Sequence, residues 1–373
     1  MTNNSPGSGR LLRRLAVIAT GTALVAGATL TGGGAAGTAS PAAPDPLAAL
    51  DGRYHVVRSG LDNPRSLQIM ASGNVLIAEA GHGANSEAGC SEQGCRGFTG
   101  QVTLLTGNSS KAARILGGLL SLAGPDGSFA TGADGASRRP GGRFVAIIGG
   151  GPGRQGGKLV TRGPRGGVRI LADISRYEAR NDPDGEGVES NPYAVLGLRG
   201  GYLVADAAGD AILKVTPRGR ISTWAVLPEY GERVDAVPTV VSKGADGDIY
   251  VGELHSEQRG KAKVLHYNRA GKLLERWGGF TSVTGVDRAA DGTLYVSELF
   301  GGPCTFDRIP RCFPGRVVRV RPNGNRDYLA VPFPSGIGVE GKRVLVNAFS
   351  TSPQTGFGGN PEWSGAVWRL HRF

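Results

Sequence analysis

The sequence predicts an all-β protein, a six-bladed β-propeller of four-stranded antiparallel blades closed by the N-terminal strand. Three observations predict it: a turn-rich composition, six copies of one short pattern, and a last copy that lacks a strand. Of 373 residues, 63 are Gly and 22 Pro, and only 39% are hydrophobic. Apolar runs are therefore short and turns frequent, as in a chain of many short strands. The pattern is a turn followed by a β-branched or aromatic run, seen as SGNVLIAEA, GGRFVAIIG, GGYLVADA, DGDIYVGEL, DGTLYVSEL and EGKRVLVNA. Measured from Gly73 through Gly142, Gly201, Gly247, Gly292 and Gly341, the intervals are 69, 59, 46, 45 and 49 residues. The last three match the repeat of a four-stranded blade.

Each copy follows one apolar segment and precedes two more. In the third copy these are NPYAVLGL, GYLVADA, AILKVTP and ISTWAVL, joined by short Gly, Pro and polar turns that suit hairpins. No amphipathic helix of useful length is expected among them. The last copy supplies only SGIGVEG, RVLVNAF and AVWRLHRF, and the N-terminal YHVVRSGL can fill the missing outer place. Such a mixed blade closes the ring and removes open sheet edges, whereas a stacked solenoid would need caps that the sequence does not show.

Residues 1–39 read as a signal peptide: Arg10, Arg13 and Arg14, an apolar run from Leu15 to Leu30, then small residues up to Ala39. The run is rich in Gly, Ala and Thr and falls short of a membrane anchor, and LRRLAVI is a poor twin-arginine motif, so general secretion is expected. Residues 40–52 read as a flexible linker and 53–373 as the propeller. The expected product is an exported, soluble monomer with no membrane span after cleavage. The net charge of +11 falls to about +8 without the signal. Its basic residues are scattered and form no aromatic–basic platform, which argues against a nucleic-acid partner.

The four cysteines fall as Cys90 with Cys95 and Cys304 with Cys312. In an exported protein such pairs read as disulfides, and neither spacing is that of a tight zinc knuckle. Both pairs occupy equivalent long loops, between the second and third strands of copies one and five. That equivalence favours a bridge within each loop, a crosslink between the loops being the alternative.

In a propeller the innermost strand starts on the face where the second strand ends. Glu79, Asp206, Glu253, Glu298 and Asn347 stand at second-strand ends, and Asn63 and Asn191 at first-strand starts. A ring of such oxygens could bind a hard cation, Ca2+ being the candidate with Glu79, Asp206 and Glu253 as ligands, or could hold a polar ligand or a general base. The plainer alternative is that these groups cap strand ends or pair with arginines. His82 and His255 follow the second strands of copies one and four and are weaker candidates for zinc or base chemistry. No GxSxG or similar nucleophile motif is present. The acidic connector ISRYEARNDPDGEGVESNPY carries Asp182 and Asp184 in a DPDGEG core, which suggests a calcium loop without EF-hand spacing.

The stretch from Tyr177 to Leu254, with its YEARNDPDGEGVESNPY and DAVPTVVSKGADGDIYVGEL segments, resembles the ScyD/ScyE family, as do DNPRSL at Asp62 and the GCRGFTGQV loop. Copy two departs from the family pattern by being Gly- and Arg-rich. The family takes its name from genes of the scytonemin pigment cluster. The resemblance implies an NHL-like propeller and a cell-envelope location, and supplies no catalytic mechanism. It marks Asn181, Asp182, Pro183, Asp184, Gly185, Asn191, Asp206, Asp235, Pro238 and Glu253 as motif residues, expected to cluster at one channel mouth.

Three functions compete. The leading one is an exported binding or scaffold module that presents one face to a small molecule, a glycan or a protein. The alternative is a calcium-dependent hydrolase or lactonase with its site at the channel mouth. A quinone-dependent oxidoreductase is third, for want of a His and Arg cluster at matching loops.

Overall fold

All six repeated patterns form the second strand of a separate antiparallel sheet in the computed structural model, which describes residues 45–107, 111–228, 230 and 234–371. The predicted signal peptide lies outside the described residues. From inside to outside, the first blade comprises Pro64–Ile69, Val75–Glu79, Gly94–Leu105 and Ala112–Ala123, with the two-residue strand Cys90–Ser91 added to its third strand. The second comprises Ala133–Arg138, Phe144–Ile148, Lys158–Arg162 and Val168–Asp173. The third runs from Pro192–Leu198 to Ile221–Val226, the fourth from Pro238–Lys243 to Leu273–Phe280, and the fifth from Val283–Arg288 to Arg326–Ala330.

The sixth blade takes Ile337–Glu340, Arg343–Ala348 and Gly365–Leu370 from the C-terminus and Tyr54–Leu61 from the N-terminus, paired antiparallel to Gly365–Leu370. Its inner strand packs beside that of the first blade, so the ring is closed. The second strands are buried along almost their whole length because neighbouring blades cover both of their faces. That is why they read as continuous apolar runs instead of alternating ones. Between the third and fourth blades, for example, Leu203, Ala205 and Ile212 pack with Val241, Val251 and Leu265 in one cluster.

The two long repeat intervals have separate causes. The first blade carries an outer hairpin of two twelve-residue strands together with the first cysteine loop. The connector from the second to the third blade contains a helix, α1 (Ile174–Asn181), where no helix was expected. Asp173 caps it by accepting the Arg176 amide, and Asp182 ends it in the left-handed conformation. Both cysteine pairs form bridges within their loops, Cys90–Cys95 and Cys304–Cys312. The second cysteine loop rests on an aromatic cluster in which Phe333 meets Phe300, Phe306, Phe313 and Phe357. The end of the stretch read as a flexible linker is part of the packed ring, because Leu50 is buried in the sixth-blade core with Leu47 against it. Among the described residues, no helix is long and apolar enough to cross a membrane.

Candidate functional site

Five inner strands share one irregularity. In each, the first residue pairs with the end of the second strand, as in Pro64 with Glu79, Ala133 with Ile148, Pro192 with Asp206, Pro238 with Glu253 and Val283 with Glu298. The register then shifts across the following residue, and that residue is Arg65, Asp134, Tyr193, Thr239 or Thr284. A bulge releases its residue from the ladder and re-aims the side chain. All five line one central cavity of about 610 Å3. The same cavity is lined by the exposed residues Ala71, Arg138, Pro140, Gly141 and Lys243 at the turns after the inner strands. It therefore opens on the turn face, and the bulged residues form its floor.

The floor has two unlike halves. Thr239 donates to the Val283 carbonyl at 2.6 Å and Thr284 to the Pro334 carbonyl at 2.8 Å. Ser335 continues this by donating to the Pro64 carbonyl at 2.6 Å, so three successive blades are each stitched to the next. On the other side Arg65 donates to the Ala130 carbonyl and faces Asp134 and Tyr193. Burial pushes the Asp134 carboxyl up to about 6, against the opposing pull of Arg65, the Thr131 hydroxyl and the Gly132 amide. Burial also raises the Tyr193 phenol, which hydrogen-bonds Arg65.

The carboxylates expected at the opposite mouth are buried and held inside the protein. Glu79 accepts from the Asp62 amide and Gln101 Nε2, both at 2.9 Å, and from Thr103. Asp206 accepts from the Asn191 amide and the Ser190 hydroxyl, both at 2.7 Å. Glu298 accepts from the Thr281 amide and Arg316. Each of the three thus latches the backbone just ahead of an inner strand to the end of the second strand. In the fourth blade Asp210 takes that place, accepting the Ala236 and Val237 amides at 3.2 and 2.7 Å. Glu253 instead accepts from the Tyr230 hydroxyl at 2.6 Å, and burial pushes its carboxyl up to about 7.

Asn63 donates to the carbonyls of Gly81 and Gly127 at 3.0 and 2.9 Å, and Asn191 accepts the Gly150 amide at 2.7 Å. The Asp235 amide donates to Ser256 Oγ at 3.1 Å. The two histidines have separate surroundings. His82 pairs with Asp62 at 3.0 Å, while buried His255 lies 3.4 Å from Glu253 and is pushed down to about 4 by burial and then by Lys263 and Lys261.

Asp182 and Asp184 belong to a different group, which they form with Glu178 of α1. Glu178 is fully buried, and burial, then Asp206, Asp184 and Asp182, push its carboxyl up to about 8. One carboxylate oxygen of each of Glu178, Asp182 and Asp184 lies within 4.8 Å of the others, and like charges about 5 Å apart repel by about 3 kcal/mol per pair in a semi-polar interior. The readable signal for Glu178 was its position four residues before Asp182 on one helical turn. For two of the floor residues the signal was the position after an Asn-Pro pair at the start of an inner strand, Arg65 in NPR and Tyr193 in NPY.

No protein-family model and no curated protein matches the chain. Among solved structures, a gluconolactonase from Xanthomonas campestris is similar at 12% identity and a TM-score of 0.50, over 87% of this chain and 92% of that one. A virginiamycin B lyase from Staphylococcus aureus is similar at 13% identity and a TM-score of 0.48, over 84% of this chain and 96% of that one. At such identity the likeness is one of fold, and the chain is a six-bladed β-propeller.

Proposed function

We propose that the protein is an exported binding module of the ScyD/ScyE type that takes a small molecule into its central cavity from the turn face of the ring. The observation that carries this reading is the floor at Arg65, Asp134 and Tyr193, brought to one level by three bulges in a cavity of about 610 Å3. A cavity of this size with few converging polar groups suits a small ligand. Arg65 offers donors, Asp134 an acceptor and Tyr193 both, so the ligand is a hydroxylated molecule whose polar end reaches the floor. Aliphatic residues such as Ile69, Val240 and Val286 line the cavity along its apolar length.

The hydrolase reading has less support from the donor set. A calcium-dependent site needs several carboxylate or amide oxygens converging on the ion. At the floor a guanidinium faces Asp134, Glu79, Asp206 and Glu298 are engaged in the latches described above, and Glu253 accepts from Tyr230. Thermal unfolding with a panel of sugars, sugar lactones and phenols tests the proposal. A midpoint rise in the native protein that is absent in an Arg65→Met/Asp134→Leu variant supports it. An equal rise in that variant places binding elsewhere, and turnover of a lactone that Asp134→Asn abolishes would replace binding by hydrolysis.

A further inference from the structure

We infer that Glu178, Asp182 and Asp184 form a calcium site that ties α1 to the loop following it, beside the third blade and apart from the central cavity. The Glu178 side chain is fully buried, and neither of its oxygens has a hydrogen-bond partner among the described residues. Asp184 Oδ2 is likewise buried without a partner. One oxygen from each of the three carboxylates lies within 4.8 Å of the other two. Two oxygens on opposite sides of a Ca2+ ion, each at about 2.4 Å, stand about 4.8 Å apart, so a single ion can touch all three.

The surrounding backbone holds this arrangement. The Gly187 amide donates to Asp182 Oδ1 at 3.2 Å and the Glu186 amide to Asp184 Oδ1 at 3.0 Å, which orients both carboxylates in the loop. Gly209 leaves the room that Glu178 needs. A Cβ there would stand 2.8 Å from Glu178 Oε2 and 3.3 Å from the Glu189 carbonyl oxygen, so both oxygens border the same gap. Glu79, Asp206 and Glu298 are equally buried but are met by amides, hydroxyls or an arginine. Glu178 is met by other carboxylates, and a cation is the partner that such a group lacks.

Oxygen donors alone select a hard cation over zinc. A donor set split between a helix and a loop does not impose the strict octahedron that magnesium prefers, which favours calcium. The bound ion would draw the loop at 182–187 against α1, next to Asp206, the latch of the third blade.

The test is calorimetric titration of EDTA-stripped protein with CaCl2, together with thermal unfolding in the presence and absence of the ion. We expect one site per chain with a dissociation constant of about 1 mM or tighter, a raised unfolding midpoint, and a weaker response to MgCl2. Glu178→Gln should unfold cooperatively and lose both responses, because its amide turns donors toward Asp182 and Asp184. Asp184→Asn, on the half-buried loop, should lose the same responses and decides the matter if the Gln variant does not fold. The Arg65→Met/Asp134→Leu variant should keep them. Absence of calcium heat in the native protein, a heat that survives both single substitutions, or an equal response to magnesium would overturn the proposal.

Discussion

The two halves of the cavity floor share the bulge of the first five inner strands but differ in what that bulge presents. In the fourth and fifth blades the bulged Thr239 and Thr284 turn a hydroxyl to the next blade's backbone, as Ser335 does from ahead of the sixth blade's inner strand, and each costs little to bury because its partner is at hand. In the first to third blades the corresponding residues are Arg65, Asp134 and Tyr193, a buried guanidinium and a buried carboxyl in each other's field, beside a phenol. A ring that needed only to be stitched would be served by hydroxyls all round. Buried charges of opposite sign are weak evidence for stability, since apolar residues of similar volume often do as well. The comparison therefore assigns stitching to one half and recognition to the other.

The largest effect should come from breaking the charged half on one side only. Arg65→Met removes the donor to the Ala130 carbonyl and the positive field at Asp134, and should cost about 1–3 kcal/mol in urea unfolding. A loss below 1 kcal/mol would mean that the pair does not interact as described. Next comes pH. Asp134 has a folded value of about 6 against an ordinary 3.8, so the folded state holds the extra proton between those values. The contribution of this group should then be full at or below pH 4 and be lost as pH rises to 6, by at most about 3 kcal/mol. Glu253, raised to about 7, adds to the same trend and extends it upward. Asp134→Asn should flatten the lower part of the curve, and an unchanged profile would contradict the placement. The smallest effect belongs to the other half: Thr239→Val or Thr284→Val should cost about 1 kcal/mol each and leave any ligand-induced midpoint shift intact.

Much of the ring was legible in the sequence because second strands are covered on both faces, so their apolar runs recur at blade spacing. The missing outer strand of the last copy pointed directly to Tyr54–Leu61, and the equivalent loops to the two disulfides. The site was less legible. Glu79, Asp206 and Glu298 were placed correctly at strand ends, but their donors come from other segments, as Thr103 does for Glu79 across the neighbouring strand. Pattern alone therefore could not tell a latch from an open ligand group. The bulges were invisible for a related reason, since a bulge is a property of register between two strands. Helix α1 escaped notice because eight residues with three charges show little apolar periodicity, although Asp173 stands before it as a cap.

The most direct test is urea unfolding of the Arg65→Met/Asp134→Leu double variant beside the native protein. If the charged half exists for recognition, the double variant should be within about 1 kcal/mol of native stability or above it, better than Arg65→Met alone. A double variant that loses as much as the single one, or more, would show that the pair holds the ring together and would contradict the division of the floor.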